Sequence, residues 1–455
     1  MTTATESPAN PYLVGNFAPV RDERDDAGLA VTGAIPPELD GLLLRNGPNP
    51  ILDPDPAAYH WFLGDGMLHG IELRDGRARY RNRWVRTRAA SEALGEPAPP
   101  GPPEVNGLAV SANTHVVAHA GCIYALVESS LPTEVRSDLS TVGAADFGGR
   151  LTTPFTAHPK SDPASGEMVF FGYDLAAPYL RYHVVDSNGA LARSEVIDIP
   201  GSVMAHDFGV TATRVVWLDL PVVFDVNLVG RQPFPFTWRP EHGARVGVMP
   251  RSGGNADVTW IDLEPCYVYH VLNAHDAADG TLVIDVMRYP DMFATEVYGP
   301  GASVPPRLDR WMIDSSARTV ATETLDDASQ EFPRVNDRYA GRQHRYGYTS
   351  ETEVGTSWAG HGGLRKHDLL RGRTERHDVG PGRAAGEGVF AAAASDTGED
   401  SGWVLSVVYD AGRDASDVIV VDATDFEAAP AATIHLPRRV PFGFHGSWVP
   451  GASLD

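Results

Sequence analysis

The chain has 455 residues, 42% of them hydrophobic, and a formal net charge of −23. That charge disfavours nucleic acid and anionic lipid headgroups as partners, and no stretch approaches 18 consecutive apolar residues, so no helical membrane span is expected. Two cysteines, Cys122 and Cys266, form no disulfide framework and read as buried thiols in apolar runs.

The opening residues, MTTATESPANPYL, have neither a basic n-region nor an apolar h-region. No secretory leader is expected there, and the chain reads as cytoplasmic. Short strand-like runs follow: GIELRDGRARYRNRWV, EMVFFGYD, YLRYHVVDSNGALARSEVIDI, RVVWLDL, GTLVIDVMRY, WVLSVVYD and DVIVVDATD. Many alternate apolar and polar residues, as a strand with two unlike faces does. Asp75-Gly76, Asn188-Gly189 and Asp279-Gly280 suit tight hairpins. The 46 glycines and 36 prolines also suit turn-rich β structure. No long amphipathic helix with a clear cap stands out.

Strands of this length recurring over most of 455 residues predict a β-propeller, in which radial repetition lengthens one domain without a second core. Residues 1–455 therefore read as a single all-β domain, with repeats too divergent for the blades to be counted from sequence. Two stretches break the pattern. Ala89 to Val105, rich in Pro, Ala and Glu, reads as a loop. Pro221 to Asn255, which contains PVVFDVNLVGRQPFPFTW, is too aromatic for a disordered linker and reads as an apolar cover over one face, with contact to a lipid surface as a second reading.

Four of the 16 histidines stand in unusual local frames: His158 in TAHPK, His206 in MAHDF, His270 in YVYHVLNAHD and His445 in PFGFHGSW. Each lies at or near the edge of a strand-like run, and Pro159, Asp207, Gly443 and Gly446 fix the backbone around three of them. The spacings of 48, 64 and 175 residues match no zinc finger and no helical pair. They suit separate blades that each offer one imidazole to an axial ion. Four neutral imidazoles fit Fe(II), Cu(II), Ni(II) or Zn(II), and the ligands alone do not choose among them. The hard-ion carboxylate site of a calcium-dependent propeller hydrolase is a poor match. His69, His183, His242, His344, His367, His377 and His435 read as solvated surface imidazoles, while His60, His115, His119, His275 and His361 are left open. A ligating imidazole normally donates its other N–H to a carboxylate or carbonyl. Acidic residues in apolar or small-residue settings are therefore expected as partners, and Glu128, Glu387 and, less clearly, Glu427 qualify.

NPYL with GNFAPV, LDGLLLRNGPNP, HWFLGDGMLHGIEL, NRWVRT, ANTHVVAH, AHPKSDPASGE, AHDFGVT and VPFGFHGSW follow one another along nearly the whole chain. In this order they resemble the carotenoid cleavage oxygenase family, which includes carotenoid, apocarotenoid and stilbene oxygenases and the retinoid isomerase. The resemblance implies a seven-bladed β-propeller with a dome of loops and helix over the metal face, to which residues 221–255 would belong. It implies Fe(II) held by His158, His206, His270 and His445, with Glu128, Glu387 and Glu427 orienting three of the rings. It also implies O2-dependent cleavage of a C=C bond of an apolar small molecule into two carbonyl products, with no separate acid or base assigned.

Phenol-cleaving members of that family resemble one another in carrying a lysine just before the first of these glutamates, where this chain has Val127. The resemblance therefore implies a carotenoid or apocarotenoid substrate, with a stilbenoid or phenylpropene as the alternative. A non-catalytic polyene-binding propeller is the reading of another class, since a fold alone does not give a function. No residue pattern demands an oligomer.

Overall fold

The computed structural model describes residues 10–102, 110–293, 297–352, 362–394 and 396–453. His361, residues 103–105 of the expected loop and the first nine residues of the opening segment lie outside them.

Seven antiparallel sheets form the seven blades of a propeller. Blade I comprises 24–27, 77–84, 66–74, 41–48 and 446–450. Blade II holds 115–119, 122–126, 133–135 and 141–144, and blade III holds 160–161, 168–173, 180–185 and 191–197. Blade IV is built of 209–210, 214–219, 244–250 and 259–263, and blade V of 267–276, 282–289, 307–314 and 319–326. Blade VI contains 330–334, 346–351, 364–368 and 373–377. In blade VII, 31–33, 432–435, 415–422 and 402–410 run in order, and both 383–385 and 389–392 pair with 402–410.

Alternation explains the strands. Arg77–Trp84 is exposed or half-buried at odd positions and buried at Ala78, Tyr80, Asn82 and Trp84. The expected hairpins form around Asp75-Gly76, where both residues have positive φ, and at Gly189 and Gly280. Between neighbouring blades the inward faces meet as apolar wedges. Leu44 and Leu68 pack with Ile123 and Ala125 between blades I and II, and Phe171 and Tyr182 pack with Val215 and Trp217 between III and IV. Leu272 and Met287 meet Val335 between V and VI, and Tyr348 meets Val404 and Ile419 between VI and VII.

The ring is closed twice by residues from the two ends of the chain. Gly446–Pro450 pairs with Gly41–Pro48 in blade I, and Val31–Gly33 pairs with Ala432–His435 in blade VII. The innermost strands touch around the axis: 209–210 and 330–334 each contact 267–276, while 389–392 and 115–119 each contact 446–450.

The irregular stretches differ from expectation in two places. Arg88–Leu94 is a short α-helix rather than loop. The Thr87 side chain caps it by accepting from the Ala90 N–H, and Gly95 ends it in the left-handed region. Within the expected 221–255 cover, Ala244–Pro250 is a strand of blade IV, paired on both sides. The cover proper is residues 221–243, where Val222–Phe224 pairs with Phe236–Trp238. Cys266 is buried, Cys122 half-buried, and both thiols are free. Among the described residues no helix is long and apolar enough to cross a membrane.

Gly446 marks the tightest closure: a Cβ there would lie 2.1 Å from the Leu44 carbonyl oxygen, so only glycine permits this backbone approach. Gly446→Ala is expected to cost about 1–3 kcal/mol, visible as a lowered thermal midpoint. An unchanged midpoint would show that the closing strand shifts freely.

Candidate metal centre

The fold brings His158, His206, His270 and His445 together. They offer one ligand atom each, and those atoms all lie within 4.8 Å of one another. The four belong to blades III, IV, V and I. His158 and His206 immediately precede short innermost strands, His270 lies within Tyr267–Asp276, and His445 directly precedes Gly446–Pro450. Local backbone chemistry presents them. A Cβ on Gly443 would meet the Asn46 carbonyl oxygen at 2.7 Å, so glycine there lets the chain turn inward against blade I.

The Nε2 atoms face each other. His158 and His206 are 3.0 Å apart through these atoms, and His206 and His270 are 3.3 Å apart. Imidazole nitrogens bound at right angles about 2.1 Å from a shared first-row ion stand about 3.0 Å from each other, so the spacing fits an ion of that size. All four residues are buried. Burial, and then the neighbouring imidazoles, hold His158 and His445 well below the usual histidine range. Neutral rings with lone pairs aimed at one point are what a metal requires.

Three carboxyl groups stand behind three of the rings. Glu128 Oε1 pairs with His206 Nδ1. His270 Nδ1 donates to Glu331 Oε2 at 2.5 Å, and His445 Nδ1 donates to Glu387 Oε1 at 2.9 Å. Each carboxyl has further donors. Tyr173 Oη reaches Glu128 Oε2 at 3.0 Å, Tyr289 Oη reaches Glu331 Oε1 at 2.8 Å, and the Gly446 N–H reaches Glu387 Oε2 at 2.7 Å. Burial, and then the adjacent glutamate, push both phenols up, so they remain O–H donors. Arg334 lies 3.7 Å from Glu387 Oε1. Among the described residues, no carboxylate pairs with His158.

Glu427 is not among these partners. It is exposed in the turn after Ala415–Asp422, while Phe426 beside it is buried between blades VI and VII. Anchoring Phe426 inward turns Glu427 outward, far from the axis, and Glu331 stands behind His270 instead. Sequence reasoning missed Glu331, which follows the polar Ser329 and Gln330 and lacks the apolar run that singled out Glu128.

The other described histidines do not join the group. His115 lies between His158 and His445 with ring centroids 5.8 and 5.2 Å away, but its nitrogens face the Ala157 and Gly446 carbonyls. His60 stacks on Phe234, and His119 faces the Asp186 carbonyl. His275 lies beside His344. Of the histidines expected to be solvated, His69, His183, His344, His367 and His377 are buried. They sit within or between blades covered on both faces, held for example by Tyr80 Oη on His69 and Thr153 Oγ1 on His183.

Two cavities reach the group. One, of about 400 Å³, is walled by Phe62, Phe234, Phe236, Phe444, Val127 and Tyr173, and touches His206 and His445. Pro233 and Pro235 of the 221–243 cover close it. The other, of about 230 Å³, is more polar, and its wall includes His158, Lys160, Asp207, His270, Asn273 and Arg334.

The family model described as retinal pigment epithelial membrane protein matches residues 17–450. The carotenoid cleavage oxygenase of Mycobacterium tuberculosis is 42% identical over 99% of this chain and 100% of its own length. The chain belongs to the carotenoid cleavage oxygenase family. Isoeugenol monooxygenase of Pseudomonas nitroreducens is 32% identical, over 97% of this chain and 98% of that protein. The crystal structure of Pseudomonas brassicacearum lignostilbene dioxygenase superposes with a TM-score of 0.88 at 28% identity, covering 97% of this chain and 98% of that one. This chain is an oxidoreductase of the carotenoid cleavage dioxygenase type, and its buried histidines form a site fit for a metal.

Glu331→Gln is expected to weaken metal binding about 10–100-fold, and Glu427→Gln to leave it unchanged, in equilibrium dialysis of the apoprotein against Co(II). Equal losses in the two variants would overturn the assignment of Glu331.

Proposed function

We propose that this chain uses Fe(II), held by His158, His206, His270 and His445, to cleave a C=C bond of a carotenoid or apocarotenoid with O2. The observation that carries this reading is the junction of the four-histidine group with an apolar cavity through His206 and His445. Bound there, ferrous iron would supply the one-electron chemistry that lets triplet O2 react with a spin-paired alkene. Both oxygen atoms of O2 are consumed as the alkene becomes two carbonyl products, so no external reductant is required.

The chain's own residues bind, orient and keep water out. The rings of Phe62, Phe234, Phe236 and Phe444 give an extended alkene flat apolar walls. Cleavage of an alkene to two carbonyls removes no proton from it, and of the two carboxyl groups on the wall Asp65 accepts from the Ile51 N–H at 3.0 Å. Glu128 reaches that wall, but its oxygens are engaged by His206 and Tyr173. Val127 directly precedes it, with no side-chain atom to hydrogen-bond a phenol, which favours a polyene over a hydroxylated stilbene.

A stilbenoid or phenylpropene is the second reading. It is favoured by the likeness to isoeugenol monooxygenase and lignostilbene dioxygenase. Uptake of a polyene from a lipid surface fits Leu63, which lines the cavity yet is 51% exposed, and Val226 and Val229 of the cover, 70% and 57% exposed. Failure of the protein to float with neutral phosphatidylcholine vesicles would count against that contact.

A panel of carotenoids, apocarotenals, hydroxystilbenes and isoeugenol, with products identified by mass, tests the substrate class. Turnover of apocarotenals without turnover of the phenols is expected. His270→Ala should abolish product while leaving the circular dichroism spectrum intact. Val127→Lys should raise activity on 4-hydroxystilbenes and lower it on apocarotenals by about tenfold or more. Stoichiometric polyene binding with no product under O2 would instead support a binding propeller.

A further inference from the structure

Three of the four histidine-bearing segments share a link on the side away from the alkene cavity. Lys160 lies two residues beyond His158, Asp207 one beyond His206, and Val271 one beyond His270. Lys160 Nζ pairs with Asp207 Oδ1 at 2.7 Å. The same oxygen accepts from the Phe208 N–H at 2.7 Å, and Asp207 Oδ2 accepts from the Val271 N–H at 2.8 Å. The Asp207 side chain is 1% exposed. One buried carboxylate thus joins blades III, IV and V within two residues of three imidazoles.

His158 is the member of the group that most needs such a link. No carboxylate stands behind its ring among the described residues. The strand that follows it, Lys160–Ser161, is two residues long and pairs on one side only, with Met168–Val169. His270, by contrast, sits within a ten-residue strand. A backbone held by so short a ladder cannot by itself fix a ring to the few tenths of an ångström that metal ligation needs.

We propose that Asp207 and Lys160 are positioning residues that fix His158 relative to His206 and His270, in place of the carboxylate that orients each of the other rings. This rests on the reading of the four histidines as a metal centre. Lys160, Asp207 and Val271 line the polar cavity and none lines the apolar one, so the link acts on the metal site without shaping the alkene pocket.

The test uses full-length apoprotein titrated anaerobically with Co(II), read by the visible absorption of the bound ion and by its dissociation constant. Wild type should bind one equivalent. Lys160→Met, which keeps the chain's bulk and removes its charge, should weaken binding about 10–100-fold. Asp207→Asn, which in either orientation turns an amide N–H toward a donor (Val271 N–H, or Phe208 N–H and Lys160), should weaken it at least as much. Lys160→Arg, which restores the ion pair, should return binding to within about threefold of wild type. The absorption bands of the weakened variants should shift, reporting altered ligand geometry, while KM for the alkene stays unchanged. Should Asp207→Asn not fold, the two Lys160 variants decide alone, since that side chain is 26% exposed. Wild type that binds no cobalt would refute the metal-centre reading itself. Wild-type binding together with undiminished binding by Lys160→Met, or no recovery by Lys160→Arg, would refute the positioning role.

Discussion

Four imidazole nitrogens that point their lone pairs at one place repel each other, and the rest of the molecule is arranged to hold them there. His158 and His206 approach to 3.0 Å through Nε2, a separation that flexible loops would relax. The ring of blades opposes that relaxation because 267–276 and 446–450 each touch an innermost strand on either side, and the ring is closed in blades I and VII by strands from both ends of the chain. Every blade places one group in this layer: His445, Glu128, His158, His206, His270, Glu331 and Glu387, from blades I to VII in turn.

That allocation explains where the carboxyl groups come from. Glu331 and Glu387 reach a histidine of an adjacent blade, and both lie on or beside inner strands. Glu128 must reach His206 two blades away, and it sits in the turn after Cys122–Leu126, from which a longer path is open. A buried carboxylate is stable only if its lone pairs are met, and here tyrosines and backbone amides meet them. Tyr173 serves Glu128 while also walling the alkene cavity. The shape of that cavity and the orientation of His206 are therefore coupled through one phenol.

What the sequence disclosed and what it hid follow the same physics. Three of the four histidines stood out by their neighbours: Pro159 and Asp207 follow His158 and His206, and Gly443 and Gly446 beside His445 make backbone approaches that a Cβ would block. Hairpins at Asp75-Gly76, Asn188-Gly189 and Asp279-Gly280 were legible for the same local reason. Glu331 was not, because which acid stands behind His270 depends on the packing of blade VI against blade V, and the third place went instead to the less clear Glu427. The buried histidines of the blades were misread because a polar neighbour in sequence says nothing about the next blade, whose face covers the ring. Arg88–Leu94 escaped because a seven-residue helix carries less than two full turns of apolar periodicity, and Ala244–Pro250 because its short apolar run, which begins only after Arg245, follows closely on the aromatic cover.

The metal half of the site and the alkene half obey different demands. Around the histidines every polar atom needs a partner, and the partners are supplied by blades that cannot move independently. Around the alkene the demand is only for shape and dryness, so the wall tolerates exchange of one apolar side chain for another. Val127 stands where the two halves meet, next to Glu128. A phenol oxygen placed against it would exchange water for an aliphatic surface, a loss of about 1–3 kcal/mol for an unmet hydroxyl, whereas a polyene carbon in the same place loses nothing. In the proposed reaction that difference favours a polyene by about tenfold or more (1.4 kcal/mol being a factor of ten). Selectivity of that size can be altered at one residue of the wall without disturbing the histidines behind it.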